Sequence, residues 1–298
     1  MTSKLRSTGI LVVAFTLAAC GDSGDGGGGS GGEVAGGGGE PQGGAPSGNF
    51  QAVHDTYCAP EDLIGRFWIY GFAATPTLSG ELWETTSPFT GPPSLTTDTC
   101  AFYEYQDSCV TCDPGTICNY AGVCVPERRS VKAASLKITA GAEEQTIAAD
   151  ATIGGFNGEV TVGDASSDFA MQLTWGELTV DLAPLGYQAG PLQDAAITLE
   201  GDHSAPGALE ATWTSSAAGG HVFTLININH HAAAGTFTTC AAPESAESFQ
   251  ADADMIDPLA VITGLEFQGI QYVNVAAAET SKGCIEFWLG EEEYVQPQ

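Results

Sequence analysis

The stretch MQLTWGELTVDL, residues 171–182, alternates apolar and polar side chains. From Met171 to Trp175 every second residue is apolar, and the same period of two returns from Leu178 to Leu182. Because successive side chains of a strand point to opposite faces, this period predicts strands with one buried face and one face in water.

The same alternation recurs through the C-terminal half of the chain, most clearly from Leu209 to Trp213 and from Ile285 to Leu289. Further strands are predicted at residues 136–140, 159–162, 196–200, 221–229, 236–240 and 271–275. The only helical segment predicted is short, residues 255–262, with Pro258 in its first turn. Many short strands without intervening helices predict a mostly β fold. They favour an antiparallel β-sandwich over residues 131–298, for which an immunoglobulin-like arrangement is one form.

The first nineteen residues have the features of a secretory signal peptide. Lys4 and Arg6 precede an apolar run, residues 10–17, that is too short for a permanent membrane span. The motif Leu17-Ala18-Ala19-Cys20 resembles the lipobox of bacterial lipoproteins at each of its four positions. The resemblance implies cleavage before Cys20, a diacylglycerol on its thiol and a fatty acid such as palmitate on its amino group. It also implies a protein held at the outer membrane or cell surface, because Gly21 rather than Asp follows the cysteine.

Residues 20–49 are mostly Gly with Ser, Asp, Glu and Pro. This composition cannot bury enough apolar surface to order itself, so we expect a disordered tether between Cys20 and the folded part. A flexible coil of this length spans about 30 Å, which would hold the folded part close to the membrane without pressing against it.

The chain is strongly acidic, with 8 basic and 37 acidic residues and a net charge of −29. Removal of the predicted signal peptide takes away two cations and brings the net charge to −31. This surplus argues against nucleic-acid binding, because phosphate contacts need a basic surface. The same charge disfavours docking on anionic headgroups and favours solubility.

Apart from Cys20, the chain has eight cysteines, an even number that predicts complete pairing in an exported protein. Six lie between Cys58 and Cys124, whereas only Cys240 and Cys284 lie beyond. This uneven distribution predicts a disulfide-rich module over residues 50–130 and a boundary near Ser130. A disulfide between Cys240 and Cys284 is predicted to link the C-terminal strands of the sandwich.

Four cysteines of the first module, Cys109, Cys112, Cys118 and Cys124, have the spacing C-x2-C-x5-C-x5-C. The spacing resembles the small EGF-like repeats of extracellular proteins. By that resemblance Cys109 pairs with Cys118 and Cys112 pairs with Cys124, which leaves Cys58 to pair with Cys100. The alternative is a zinc site with four thiolate ligands, in which Cys109 and Cys112 form the usual first pair.

A strand is also predicted at residues 67–72, and its period places Trp68, Tyr70 and Phe72 on one face. An exposed row of aromatic rings could stack on sugars, so Trp68 and Tyr70 are the candidate carbohydrate contacts. The alternative is that these rings form the core of the module.

The acidic segment with Asp252, Asp254 and Asp257 is the candidate metal site, because closely spaced carboxylates suit calcium. In the alternative interpretation, Asp254 caps the short helix and Asp257 lies in its first turn.

We find no serine elbow, zinc-binding His-Glu helix, phosphate-binding loop or free nucleophilic cysteine, so no enzyme activity is predicted. The leading hypothesis is a non-enzymatic, lipid-anchored surface protein that binds a protein or glycan partner. A calcium-stabilised carbohydrate-binding module is the first alternative. A secreted hydrolase is the second, and it requires two carboxylates that converge in a cleft.

Overall fold

The structure, a computed structural model, describes residues 57–293 except 73–74, 106–108, 110, 188–192, 203–204, 216–219, 229–235 and 261–264. The predicted signal peptide, lipobox and tether, with Cys20, lie outside the described residues. In the part that is described, no helix has both the length and the hydropathy that a membrane span requires.

The fold is mostly β, as the alternation predicted. The described residues form eighteen strands: β1 (Leu63–Tyr70), β2 (Thr77–Leu82), β3 (Leu95–Thr96), β4 (Cys100–Tyr103), β5 (Thr116–Cys118), β6 (Cys124–Pro126), β7 (Ala134–Ala140), β8 (Glu143–Ala148), β9 (Phe156–Glu159), β10 (Asp168–Trp175), β11 (Leu178–Gly186), β12 (Gln193–Asp202), β13 (Ala205–Thr214), β14 (His221–Ile228), β15 (Phe237–Pro243), β16 (Ser248–Ala251), β17 (Leu265–Thr280) and β18 (Gly283–Glu293). One short helix, α1 (Ala253–Ile256), continues into a 3-10 turn, Asp257–Ala260, that contains Pro258, and a second 3-10 turn spans Glu244–Ala246.

The stretch at residues 171–182 lies in β10 and β11, which pair in antiparallel fashion. Trp175 is the partner of Leu178, so Gly176 and Glu177 form the connecting turn. Gly176 has φ of 61°, a left-handed conformation that favours glycine. Met171 and Leu173 are buried, whereas Gln172 and Asp181 are joined on the solvent side by a 2.7 Å hydrogen bond.

Three sheets carry most of the described strands. The largest has nine strands in the order β3-β4-β15-β14-β17-β18-β1-β2-β9. A four-stranded sheet has the order β11-β10-β7-β8, and a three-stranded sheet has the order β12-β13-β16. The strands β5 and β6 form a separate hairpin. The strand predicted at residues 159–162 is displaced, because β9 ends at Glu159, and β8 was not predicted.

Two hydrophobic cores lie on one face of the nine-stranded sheet. The first core packs Phe67, Leu78 and Phe287 of that sheet against Leu136 and Phe169 of the four-stranded sheet. The second packs the half of the large sheet that contains β4, β14 and β15 against the three-stranded sheet and α1. Burial of this apolar surface is the main force that holds the layers together.

The boundary predicted near Ser130 does not separate two sheets. Strand β1 pairs in parallel with β18 and in antiparallel fashion with β2, so it lies between the C-terminal strand and its own neighbour in sequence. Strand β4 likewise pairs with β15. Residues on both sides of Ser130 therefore build one sheet, and β1 with β18 is a parallel pair within an otherwise antiparallel sheet.

Two of the predicted disulfides are confirmed and two are wrong. Cys109 is bonded to Cys118, and Cys112 is bonded to Cys124. The predicted pairs Cys58–Cys100 and Cys240–Cys284 do not form. Instead Cys58 is bonded to Cys284, and Cys100 is bonded to Cys240. The physical reason is the shared sheet: Cys100 and Cys240 are direct partners across β4 and β15, and Cys284 begins the pairing of β18 with β1.

Candidate functional site

The second face of the nine-stranded sheet, opposite the two cores, carries a cluster of aromatic rings. We call it the outer face and define it by Tyr57, Trp68, Tyr70, Phe223 and Trp288. Trp288 and Tyr57 are buried, whereas the other three rings are partly buried. The rings of Phe223 and Trp288 meet edge to face at 4.9 Å between centroids. Among the described residues, the apolar cluster on this face draws on the large sheet and on Tyr57 alone.

Trp68 and Tyr70 share this face because they are two residues apart on β1. Their ring centroids are 4.9 Å apart and the rings are inclined at 45°. The indole N–H of Trp68 donates a hydrogen bond to the carbonyl oxygen of Gly290 at 3.3 Å, which orients the ring. Across the β1–β2 pairing, Ser79 is the partner of Trp68 and Thr77 is the partner of Tyr70. Two inclined rings and two hydroxyl-bearing residues therefore lie side by side.

Phe72 does not continue this row, contrary to the prediction. Strand β1 ends at Tyr70, and Gly71 follows with φ of 82°. Phe72 packs against the first core. Its ring stacks on that of Tyr187 with 4.0 Å between centroids, and it meets the ring of Phe169 edge to face with 5.5 Å between centroids. The turn at Gly71 thus sends Phe72 away from the outer face.

A buried carboxylate, Glu286, lies at the centre of the outer face. The alternation of residues 285–289 predicted that the side chain of Glu286 faces water, yet its relative exposure is 0%. Its oxygens accept hydrogen bonds from the backbone N–H of Cys58 at 2.8 Å, Nε of Arg66 at 2.7 Å and Nε1 of Trp288 at 2.9 Å. Each bond satisfies part of the charge, which would otherwise be costly to bury.

Arg66 and Tyr57 extend the network around Glu286. The Arg66 guanidinium lies 4.3 Å from the centroid of the Trp288 ring, in the geometry of a cation–π contact. Burial, and then the nearby charge of Glu286, raise the pKa of the Tyr57 hydroxyl. That hydroxyl has no hydrogen-bond partner among the described residues. The rings of Tyr57 and His221 meet edge to face, with 5.3 Å between their centroids. Burial lowers the pKa of His221.

A cleft of about 700 Å³ lies beside the β5–β6 hairpin. Four carboxylates line it, those of Glu61, Asp62, Glu84 and Glu127. Burial raises the pKa of Glu61, and the nearby charge of Asp62 adds to the shift, whereas hydrogen bonds with its own backbone and with Tyr103 oppose it. Four carboxylates and the cationic side chain of Arg129 thus line one cleft, and the hydrolase hypothesis requires two of these carboxylates to face each other across it.

The candidate calcium ligands do not come together. In the described part of the chain, the potential metal ligands that cluster within 4.8 Å of one another are the sulfurs of Cys109, Cys112 and Cys124, not the carboxylates of Asp252, Asp254 and Asp257. Asp252, rather than Asp254, precedes α1 at its N-cap, and its side chain makes no capping hydrogen bond. Asp257 follows α1 and begins the 3-10 turn.

Sequence reasoning identified Trp68 and Tyr70 but missed Glu286, Arg66, Tyr57 and the cleft. One signal for Glu286 was present: it stands between Ile285 and Phe287 and is followed closely by Trp288, so both faces of β18 are rich in large apolar residues. No protein-family model matches the chain, and no curated protein sequence matches it.

Proposed function

We propose that this protein is a non-enzymatic, lipid-anchored cell-surface protein that binds a saccharide at Trp68 and Tyr70 on its outer face. The observation that carries the proposal is the pair of inclined rings, 4.9 Å apart and partly buried. The anchor rests on the resemblance of residues 17–20 to a lipobox. Calcium is not part of the proposal, because the three aspartates are not gathered.

Aromatic rings offer an apolar surface on which the C–H groups of a sugar ring can pack. A sugar stacked on Trp68 would meet the inclined ring of Tyr70 at its side, and its hydroxyls would face Ser79 and Thr77 on β2. A few polar groups around an apolar platform give orientation and specificity to a binding site. The hydrogen bond from Trp68 to Gly290 holds the platform in place before the ligand arrives, which lowers the entropic cost of binding.

The test is retention of the full chain on a panel of polysaccharides. We expect Tyr70→Ala and Trp68→Ala each to reduce retention by about fivefold or more, because loss of a stacking or hot-spot aromatic ring typically costs more than about 1 kcal/mol. Ile153→Ala is the control, since Ile153 is an exposed apolar residue that belongs to neither the outer face nor the cleft. Trp68→Phe keeps a ring and should retain part of the binding. Equal retention of wild type, Tyr70→Ala and Trp68→Phe would reject the site.

The anchor has its own test, in the intact organism or a bacterial host. Cys20→Ser removes the thiol that would carry diacylglycerol, so we expect the protein to move from the membrane fraction to the soluble exported fraction. Two or three acyl chains bind a membrane far more firmly than one, so the change should be nearly complete. A variant that stays on the membrane would exclude the lipid as the anchor.

The second candidate function is hydrolysis of a glycoside in the acidic cleft. The presence of Glu61, Asp62, Glu84 and Glu127 in the lining of one cleft favours it, because glycoside hydrolysis uses one protonated and one ionised carboxyl group. Glu61, whose pKa is raised by burial, would be the proton donor. The test is turnover of chromogenic glycosides: Glu61→Gln should abolish any activity, and Asp168→Asn, remote from the cleft, should leave it unchanged. Activity that survives Glu61→Gln would reject this role.

A further inference from the structure

The β5–β6 hairpin is held by two disulfides that differ from the other two in their surroundings. Cys109, Cys112 and Cys118 are only partly buried, and Cys124 is exposed. Cys58, Cys100, Cys240 and Cys284 have relative exposures of at most 4%. Since a reductant must reach the sulfur that it attacks, exposed disulfides are reduced before buried ones. A mild reductant should therefore open the hairpin pairs first.

The sulfurs of the hairpin are already gathered for a metal ion. Those of Cys109, Cys112 and Cys124 lie within 4.8 Å of one another, and the sulfur of Cys118 is bonded to that of Cys109. Tetrahedral zinc with Zn–S bonds of about 2.3 Å requires sulfurs about 3.8 Å apart. Sulfurs joined by an S–S bond of about 2.05 Å must therefore move apart to this spacing after reduction. The sulfur of Cys109 already lies within 4.8 Å of those of Cys112 and Cys124, so it needs to approach them by about 1 Å at most.

The hairpin also has contacts that keep its shape without the disulfides. Cys118 and Cys124 are partners across β5 and β6. The side-chain oxygen of Asn119 accepts hydrogen bonds from the backbone N–H groups of Ala121 at 3.0 Å and Val123 at 2.8 Å. The hydroxyl of Tyr105 donates to the carbonyl oxygen of Cys118 at 2.9 Å. These bonds would limit the entropy that the reduced hairpin gains and keep its thiols near one another.

We propose that the reduced hairpin is a zinc site in which Cys109, Cys112, Cys118 and Cys124 are the four ligands. Soft thiolates select Zn²⁺ over the hard cations Ca²⁺ and Mg²⁺. A thiol or phosphine supplies the electrons. With a phosphine, each S–S bond breaks, the two sulfurs become thiols, and the oxygen of one water ends on phosphorus as the phosphine oxide. Zn²⁺ then forms four Zn–S bonds as four thiol protons pass to solvent.

The first measurement is the order of reduction. The full chain is treated with a water-soluble phosphine at neutral pH without denaturant, new thiols are alkylated, and the labelled cysteines are located by mass spectrometry. We expect label at the four hairpin cysteines before any at Cys58, Cys100, Cys240 or Cys284. Equal rates at all eight cysteines would overturn the proposed selectivity.

The second measurement is metal uptake by the selectively reduced chain, with Co²⁺ as a spectroscopic substitute for Zn²⁺. We expect one ion per chain, with thiolate charge-transfer bands and the ligand-field bands of a tetrahedral site, and displacement of Co²⁺ by Zn²⁺. The oxidised chain should show neither band. Failure of the reduced chain to bind Co²⁺ would overturn the proposed zinc site.

Variants separate the thiolates from the surrounding carboxylates. The double variant Cys112→Ser, Cys124→Ser keeps only two of the four thiolate ligands. Its affinity for Co²⁺ should fall by more than about 100-fold, because loss of a residue that merely hydrogen-bonds to a metal ligand already lowers metal affinity by up to about 100-fold. Asp113→Asn, next to Cys112, is the matched control and should bind as tightly as the reduced wild type. Equal affinity of the double variant and the wild type would show that the thiols are not the ligands.

Discussion

The two pairs of disulfides in this protein show how differently near and distant cysteines are joined. In the hairpin, Cys109–Cys118 and Cys112–Cys124 close loops of 9 and 12 residues in sequence separation. In the nine-stranded sheet, Cys58–Cys284 and Cys100–Cys240 join residues separated by 226 and 140 positions. The hairpin pairs followed from the spacing that resembles an EGF-like repeat, whereas the pairs predicted for the other four cysteines were wrong.

The difference has a physical origin. A short cysteine-rich segment has almost no core, so its turns and cross-links are determined within the segment. The distant pairs depend on which strands become neighbours in the sheet, and β4 and β15 are separated by more than a hundred residues in sequence. The pairing of the buried cysteines therefore depends on the strand order of the sheet, whereas the pairing of the hairpin cysteines depends on their spacing in sequence.

The largest expected effect is the loss of a buried disulfide. Cys100→Ala with Cys240→Ala should lower the free energy of unfolding by about 5 kcal/mol, because a cross-link over 140 residues restricts the unfolded chain strongly. Cys109→Ala with Cys118→Ala should cost about 2.5 kcal/mol by the same reasoning. Chemical denaturation of both double variants gives the two values, and equal losses would remove the distinction between the pairs.

Glu286 should be the next most sensitive position, because it holds the segment at Cys58 to the sheet. Glu286→Ala leaves the N–H groups of Cys58, Arg66 and Trp288 without their acceptor, so we expect a loss of about 3 kcal/mol in the free energy of unfolding. Glu279→Ala, at an exposed position of β17, is the control and should change stability by less than about 0.5 kcal/mol. A similar loss in both variants would contradict the importance of the network.

A smaller effect is expected at Asn119, which lies in the turn of the hairpin. Asn119→Ala removes two hydrogen bonds in the turn between Cys118 and Cys124, which should weaken the hairpin by about 1 to 2 kcal/mol. We expect faster reduction of the hairpin disulfides and an unchanged rate for the two buried ones, measured by the same alkylation assay. Faster reduction of all four would mean that the hairpin and the sheet open together.

The smallest expected effect is a dependence of stability on pH at His221. Burial lowers the pKa of this residue below its ordinary value of about 6.5, so the unfolded chain binds the proton more readily. Stability from this group is present above pH 6.5 and is lost as the pH falls through the range between the two pKa values. The midpoint temperature of thermal unfolding, plotted against pH, should therefore fall more steeply for wild type than for His221→Gln as the pH decreases through this range. Parallel curves would exclude the contribution of His221.

Part of the candidate site was predictable from sequence. The period of two placed Trp68 and Tyr70 on one face, and the structure confirms that they are neighbours. Phe72 was assigned to the same face because a period cannot show where a strand ends, and Gly71 ends this one. Glu286 was assigned to water because an antiparallel sheet often has a wet side, yet the aromatic rings of the outer face cover it.

By itself, the sequence determined the mostly β class, the strands around residues 171–182, and the disulfides of the hairpin. Each depends on residues that are near in sequence: the alternation of side chains along one strand, or cysteines within a dozen positions of one another. The tertiary structure alone decided the parallel pairing of β1 with β18, the two buried disulfides and the burial of Glu286. These depend on contacts between residues more than a hundred positions apart, and a local pattern carries no information about which of many similar strands will become neighbours.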